Sequence, residues 1–138
     1  MISPAELMET LLGPLVPSDV APAGVVVGPA NDAQQQAGVV SIVDAGMPMV
    51  ERYVHVTWVR SQFRCLAGTL EQADRIARTV QGALNQTGRT LVLQPSSGET
   101  YLIHLITVDA GPSMHFDSPE TWETLLFAEV MIGTDPVS

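Results

Sequence analysis

The sequence predicts a single α+β domain, because it combines two capped helical segments with several stretches of strand character. The helical segments start at residues 3–6 and 69–72, where a capping residue precedes a glutamate or glutamine three positions on. The strongest strand patterns are residues 52–61 and 124–132, whose side chains alternate between two faces. A chain of 138 residues can bury a real core, so we predict one domain over residues 1–138.

The N-terminal part is predicted to form one helix followed by short elements. Ser3 can cap the helix, Pro4 suits its first position, and Glu6 can complete a capping box. Apolar residues then recur at helical spacing until Gly13 ends the helix. A linker, a short apolar run, a polar loop and a strand are predicted to follow at residues 17–22, 25–27, 28–38 and 39–44.

The middle of the chain is predicted to hold the best strand and the longer helix. Bulky side chains on both faces of residues 52–61 predict a central position in the sheet. The helix is expected to begin at Thr69, to continue to about Leu84 and to end before Gly88. Its polar face contains two acidic–basic pairs four residues apart, Glu71–Arg75 and Asp74–Arg78.

The C-terminal part is predicted to consist of strands joined by a turn and a loop. Strands are expected at residues 90–94, 101–109 and 124–132, with a turn at residues 95–98. The last strand has apolar side chains on both faces, which indicates that a helix or a neighbouring subunit covers both sides. The predicted loop before it contains Gly111, Pro112, Met114, His115, Phe116 and Pro119.

The charges of the chain are segregated along the sequence. All six arginines lie between residues 52 and 89, and the chain has no lysine. The segments before, within and after this stretch carry −6, +4 and −7, which gives the net charge of −9. Opposite charges on separate parts of one fold can pair between copies as well as within one. With 46% hydrophobic and 15% charged residues, we also expect some apolar surface to remain for partners.

Several functional classes are disfavoured by composition. The acidic balance argues against wrapping nucleic acid as the main task. Cys65 is the sole cysteine, which excludes an intramolecular disulfide and fits a reducing cytosol. No positive charge precedes Arg52, so we expect no secretory signal. No apolar run approaches the roughly 20 residues needed to span a bilayer, and we expect a soluble protein.

No catalytic or metal motif stands out in the sequence. His55, His104 and His115 match no zinc spacing, so we predict neither a metal site nor a cofactor. Two alternatives stay open: a small intracellular enzyme, whose site would use His104, Cys65 or Asp109, and a small ligand-binding or regulatory domain.

Two tracts carry a resemblance to a known family. Residues 54–60 (VHVTWVR), followed by a helix over residues 69–84, resemble the tail terminator (minor capsid) family of long-tailed bacteriophages. The C-terminal order is similar as well, and the resemblance covers roughly residues 39–133 as a pattern without a unique motif. That order is a strand through Val108, a break at Gly111-Pro112, the acidic Asp117 and an apolar strand through Phe127.

The resemblance implies a mixed, mainly antiparallel sheet flanked by two helices, in a subunit of a homohexameric ring. Such a ring sits on the head-proximal end of the tail, halts polymerisation of the tail-tube protein and offers its other face to head-completion (stopper) proteins. DNA would only pass through the lumen, with no cofactor, no catalytic residue and no membrane involved. The implied location is the virion, after assembly in the host cytoplasm. Another phage head–tail connector or completion protein is the alternative.

For contacts between copies we expect apolar burial to supply most of the stability and charge to set the register. Exposed ion pairs contribute only about 0–1 kcal/mol each. The arginines would face acidic residues of a neighbour, and methionine-containing segments would supply adaptable apolar contacts. The predicted subunit or partner interface comprises Met47, Met49, Arg52, Arg60, Arg64, Arg89, Met114, Phe116, Asp117 and Trp122.

Overall fold

The computed structural model describes residues 2–46, 49–51, 55–118 and 121–137, with the side chains of residues 49–51 and 110–118 outside the description. Three α-helices and seven strands occur in this part of the chain. The helices are α1 (Pro4–Leu12), α2 (Asp32–Ala37) and α3 (Leu70–Gln86), and a 3₁₀ turn at Gly13–Leu15 follows α1. The strands are β1 (Val25–Val27), β2 (Val39–Asp44), β3 (Met49–Glu51), β4 (Val56–Ala67), β5 (Thr90–Gln94), β6 (Glu99–Ser118) and β7 (Thr121–Gly133).

The described strands form one mixed sheet in the order β1-β2-β4-β7-β6-β5, and β3 also pairs with β4. β1 and β2 run parallel, whereas every other paired strand runs antiparallel to its neighbour. The predicted α+β class with a mixed, mainly antiparallel sheet is therefore confirmed. The predicted central position of the strand around residues 52–61 is also confirmed, because β4 lies between β2 and β7.

The two faces of the sheet have different environments. On β4 and β7 the residues that point towards the helices are buried and mostly apolar, as Phe63 opposite Leu126 and Val59 opposite Val130 illustrate. α3 packs across β4, β6 and β7, and α1 packs against β2 and β5. The buried side chains of α3, Ile76 among them, join those of the sheet in one core. We call this side the core face and the opposite side the outer face.

The start of α1 differs from the predicted capping box. Ser3 is the N-cap residue and Pro4 follows it, but the Ser3 side chain makes no capping hydrogen bond. Glu6 instead accepts hydrogen bonds from the backbone N–H and the hydroxyl of Ser96, both at 2.7 Å. The Ser3 N–H donates to the side-chain oxygen of Gln94 at 2.6 Å. Glu6 and the Ser3 N–H therefore bind residues at the end of β5 and in the turn after it, and they do not form the predicted capping box with each other.

The start of α3 follows the prediction in part. Thr69 accepts a hydrogen bond from the backbone N–H of Gln72, so the predicted cap is confirmed. The Gln72 side chain does not reach back to complete the box, because it donates to the carbonyl of Ala37 at 2.8 Å. Of the two predicted ion pairs, Asp74–Arg78 is confirmed at 2.7 Å, whereas the Arg75 guanidinium lies 4.0 Å from Asp19.

The segment predicted as a polar loop at residues 28–38 contains α2. Asn31 and Gln34 form a reciprocal capping box, which stabilises a helix that has no buried residue. Gly38 ends it with φ +110°, and a Cβ there would lie 2.5 Å from the Gln72 side chain. The residues of α2 are mostly polar and form no apolar stripe, so the spacing of apolar residues did not predict this helix.

The loop predicted between the last two strands was wrong for residues 111–118, which belong to β6. Pairing with β7 continues through Ser113, Met114 and Phe116, so a long antiparallel ladder overrides the Gly111-Pro112 break. Register shifts on either side of Ala110 absorb the irregular backbone at this point. For the same reason β4 runs to Ala67 and β7 begins at Thr121, beyond the predicted ends.

Candidate functional site

The outer face of the sheet leaves three leucines exposed at its β5–β6 end. Leu91, Leu93 and Leu105 are 55%, 47% and 46% exposed, and we call these three residues the leucine patch. Leu102 and Met131 extend the same face, because they lie opposite Leu91 and Leu105 in neighbouring strands, and both are half-buried. Exposed apolar clusters of this kind mark contact sites more often than scattered apolar residues do.

The leucine patch follows from strand alternation and from the position of the two main helices. Val92 and Tyr101 lie opposite each other in β5 and β6 and are buried on the core face. Their neighbours Leu91 and Leu93 therefore point to the outer face. Sequence analysis predicted the strand at residues 90–94 but missed the patch. The alternation was visible in the sequence, whereas the side that the helices occupy was not.

Next to the leucine patch, the outer face is polar and partly charged. The Arg60 Nε lies 3.1 Å from an Asp109 carboxylate oxygen, and its guanidinium stacks 4.4 Å from the centroid of the Phe127 ring. Glu129 lies directly opposite Arg60 in the ladder. The Arg60–Asp109 pair is partly exposed, so we expect it to contribute at most about 1 kcal/mol. It covers the Phe127 ring and lowers the apolar character of this region.

A second ion pair on the outer face is much less exposed. Arg64 donates from Nε to Glu123 Oε2 at 2.9 Å, and from Nη2 to the same oxygen. The Glu123 side chain is only 8% exposed. Nearby outer-face residues are also buried, including Leu66 opposite Glu123 and Thr121, which accepts a hydrogen bond from Gln36 of α2. This end of the outer face is therefore closed by the chain itself.

Most of the described arginines are already paired within the chain. Arg60 and Arg64 bind Asp109 and Glu123, as described above, while Arg75 and Arg78 face Asp19 and Asp74. Arg89 is exposed and forms no ion pair with a described residue. The predicted contacts of Arg60, Arg64 and Arg89 with a neighbouring copy stay predictions, and among the described arginines Arg89 is the one without an ion pair to a described residue.

The other predicted interface residues are placed less completely. Trp122 is half-buried on β7 and packs against the core, opposite Ala67 of β4. Met49 lies in β3, and Met114, Phe116 and Asp117 lie in β6, with their side chains outside the description. Met47 and Arg52 lie outside the described residues.

Two of the residues considered for an enzyme, Cys65 and Asp109, do not lie together. Cys65 is fully buried on the core face, and burial, with a smaller effect of the Glu123 charge, raises the pKa of its thiol. A high pKa opposes formation of the nucleophilic thiolate. Asp109 lies on the outer face with Arg60, so the sheet separates it from Cys65. Within the described residues, no group of three His, Cys, Asp or Glu side chains could hold a metal ion.

A shallow polar groove of about 300 Å³ lies at the start of α3. It is open to solvent, and its lining mixes carboxylates with a single arginine, which favours neither an anion nor a cation. The lining residues are Asp19, Val20, Thr69, Glu71, Gln72 and Arg75.

Comparison with known proteins does not assign a function to this chain. No protein-family model matches this chain, and no curated protein sequence matches it either. No helix among the described residues has both the length and the apolar composition to cross a membrane.

Proposed function

We propose that this chain is a structural assembly protein, a tail terminator that caps the phage tail tube as a homohexameric ring and joins it to the head-completion proteins. The observation that carries the proposal is the leucine patch, a set of exposed apolar side chains on a sheet face that the two main helices leave open. The family resemblance in the sequence supplies the identity of the assembly. The patch supplies the physical reason for association.

Apolar burial rather than ion pairing would hold the ring together. Four arginines of the described chain already have acidic partners within the same copy. Separating such a pair to form a similar one with a neighbour brings little net free energy, because exposed pairs are worth about 0–1 kcal/mol. Burying leucine side chains that are half exposed brings about 25 cal/mol per Å² of apolar surface removed from water. The patch is therefore the expected centre of the contact.

The net charge of the chain suits a ring through which DNA passes. Each copy carries a net charge of −9, so an assembly of several copies repels the phosphate backbone. Bound phosphates would slow transit, whereas a repulsive lumen does not. The negative charge therefore supports passage of DNA and opposes its stable binding.

The direct test is to mix the purified chain with tail tubes assembled from a phage tail-tube protein. Negative-stain electron microscopy should show rings on tube ends, and tube length should stop increasing. The variant Leu105→Lys should lose capping, because it places a charge in the patch, whereas Thr107→Lys on the same face should retain it. A strict monomer at high micromolar concentration that also forms no ring on tubes would refute the proposal. Binding to portal or adaptor protein instead of the tube would indicate another connector.

A further inference from the structure

We propose that His104 makes association through the leucine patch dependent on pH, so that copies associate when its imidazole is neutral and separate when it is protonated. This inference rests on the proposed function, because it concerns the same contact, and it adds the group that regulates that contact. Its basis is a β-bulge that places a histidine between Leu102 and Leu105 on the outer face of the sheet.

His104 is the extra residue of this bulge. Ile103 lies opposite Ile132 and Leu105 lies opposite Met131, so β6 advances two residues where β7 advances one. Ile103 is fully buried on the core face, whereas Leu105 is 46% exposed on the outer face. A bulge changes the direction of a side chain without ending the strand, and it interrupts the regular alternation of β6 at His104.

The imidazole of His104 lies over the outer face. Gly133 follows the core-face residue Ile132 and lies opposite Val56, so a Cβ at Gly133 would point to the outer face. That Cβ would lie 3.7 Å from His104 Nε2 and 4.0 Å from the Cβ of Leu102. The ring therefore lies beside Leu102, above a position where the neighbouring strand has no side chain.

A protonated His104 would place a positive charge inside the contact. Its neighbours on the outer face, Leu102, Leu105 and Met131, are apolar. In the single chain the half-buried imidazole can still be solvated. A second copy packed over the leucine patch would remove that water, and burial disfavours the charged form of a titratable group.

The carboxylates nearest to this corner of the outer face are not paired with His104. The Asp135 carboxylate lies 3.7 Å from His55 Nδ1, and both of these side chains are largely exposed. Glu129 lies two residues before Met131 on the same face. Among the described residues, no carboxylate forms an ion pair with His104.

The other elements around His104 do not compensate its charge either. β5 contains no charged residue, and Arg89, just before it, is positive. Glu99 lies at the start of β6, and Asp109 lies further along it, bound to an arginine of β4. Glu51 of β3 lies opposite Val56, with its side chain outside the description.

The direction of the pH effect follows from linkage. If the associated state binds the proton less well than the free chain, acidification weakens association, by at most about tenfold per pH unit for each histidine. Acidification also reduces the net charge of −9 and the repulsion between copies, which acts in the opposite direction. The effect of His104 must therefore be measured against variants that keep the other titratable groups.

The test repeats the tube-capping experiment at pH 7.5, 6.5 and 5.5 and measures the chain concentration that caps half of the tube ends. For the unmodified chain we expect this concentration to rise about five- to tenfold between pH 7.5 and 5.5. A concentration that stays constant or falls would overturn the inference and leave the proposed function intact. No capping at any pH would refute the proposed function, and this inference with it.

Three variants assign the pH effect to one imidazole. His104→Gln removes the titration and should cap within about twofold of the same concentration at every pH, whereas His104→Arg carries a permanent charge and should cap poorly throughout. His55→Gln changes the second histidine of this corner, which is 76% exposed, and should keep the full response. An equal response in His104→Gln and the unmodified chain would overturn the inference.

Two controls accompany these variants. All variants meet the same tubes, so an effect of pH on the tubes themselves would appear in every one of them. Thermal unfolding at each pH shows whether a variant is folded, and His104→Gln changes a half-buried surface residue that makes no ion pair with a described residue.

Discussion

The two faces of β4 and β7 show how one pair of strands serves two purposes. On the core face, Phe63, Leu126 and Val130 are buried beneath the helices. On the outer face, the alternate positions hold ion pairs, and the leucine patch of the neighbouring strands is open to solvent. The stability of the fold should therefore come mainly from one face, which leaves the other free to change for contacts.

The largest difference is expected between two Leu→Ala substitutions. Leu126→Ala should lower the free energy of unfolding by about 2–5 kcal/mol, because it removes a fully buried side chain and leaves a cavity. Leu105→Ala should cost less than about 1 kcal/mol, since Leu105 is 46% exposed on the outer face. Urea denaturation measures both values. Similar losses would mean that the outer face contributes to the core as much as the helix-covered face does.

The next difference lies within the outer face, between its buried and exposed ion pairs. Glu123→Gln should destabilise the protein by about 1–3 kcal/mol, because the carboxylate accepts two charge-assisted hydrogen bonds from Arg64 in a site that is 8% exposed. Asp109→Asn should change stability by only about 0–1 kcal/mol, because its pair with Arg60 is open to solvent.

Urea denaturation at low and high salt checks both substitutions. Salt should reduce the small effect of Asp109→Asn and leave most of the Glu123→Gln effect, because a buried pair is screened less. A larger loss for Asp109→Asn than for Glu123→Gln would contradict the assigned burial.

Sequence patterns predicted the elements that have a strong periodicity or a clear stop. The strands at residues 39–44 and 90–94 have the predicted bounds, and the helix capped by Thr69 lies within two residues of its predicted end. Where the structure of a segment depended on a strand distant in the sequence, the local pattern gave a wrong prediction. β6 continues through Gly111 and Pro112 because β7 lies beside it, and no local signal carries that information.

The sequence predicted that apolar surface would remain for partners, but it did not predict where in the fold that surface lies. Apolar composition indicated surplus surface for partners, and exposed leucines on the outer face agree with that expectation. The residues themselves were missed, since Leu91 and Leu93 become exposed only because both long helices pack on the opposite face. The sequence showed that the arginines cluster along the chain. It did not show that the fold pairs Arg60 and Arg64 with acidic residues far along the sequence.

On the core face, Cys65 is expected to make stability sensitive to alkaline pH. Burial raises the pKa of its thiol in the folded state above the value of about 8.5 for an unfolded chain. The unfolded chain therefore loses the proton first, and stability decreases as pH rises above about 8.5. The limiting slope for one group is about 1.4 kcal/mol per pH unit.

Urea denaturation between about pH 7.5 and 9, below the pKa of about 10 at which tyrosines ionise, measures this slope. Cys65→Ala should lower stability at neutral pH through lost packing and should remove the slope. An unchanged slope in Cys65→Ala would assign the alkaline sensitivity to another group.

The last expected effect is a gain in stability, and it comes from a comparison of two threonines on opposite faces of β7. The Thr124 side-chain oxygen is buried on the core face and has no hydrogen-bond partner among the described residues. Thr124→Val keeps the shape and removes the buried hydroxyl, so it should stabilise the protein by about 1 kcal/mol. Thr121, buried on the outer face, accepts a hydrogen bond from Gln36 at 3.3 Å, and Thr121→Val should lower stability. Opposite signs in thermal unfolding would show that burial alone does not determine the cost of a hydroxyl, whereas a loss for Thr124→Val would mean that this hydroxyl has a partner in solution.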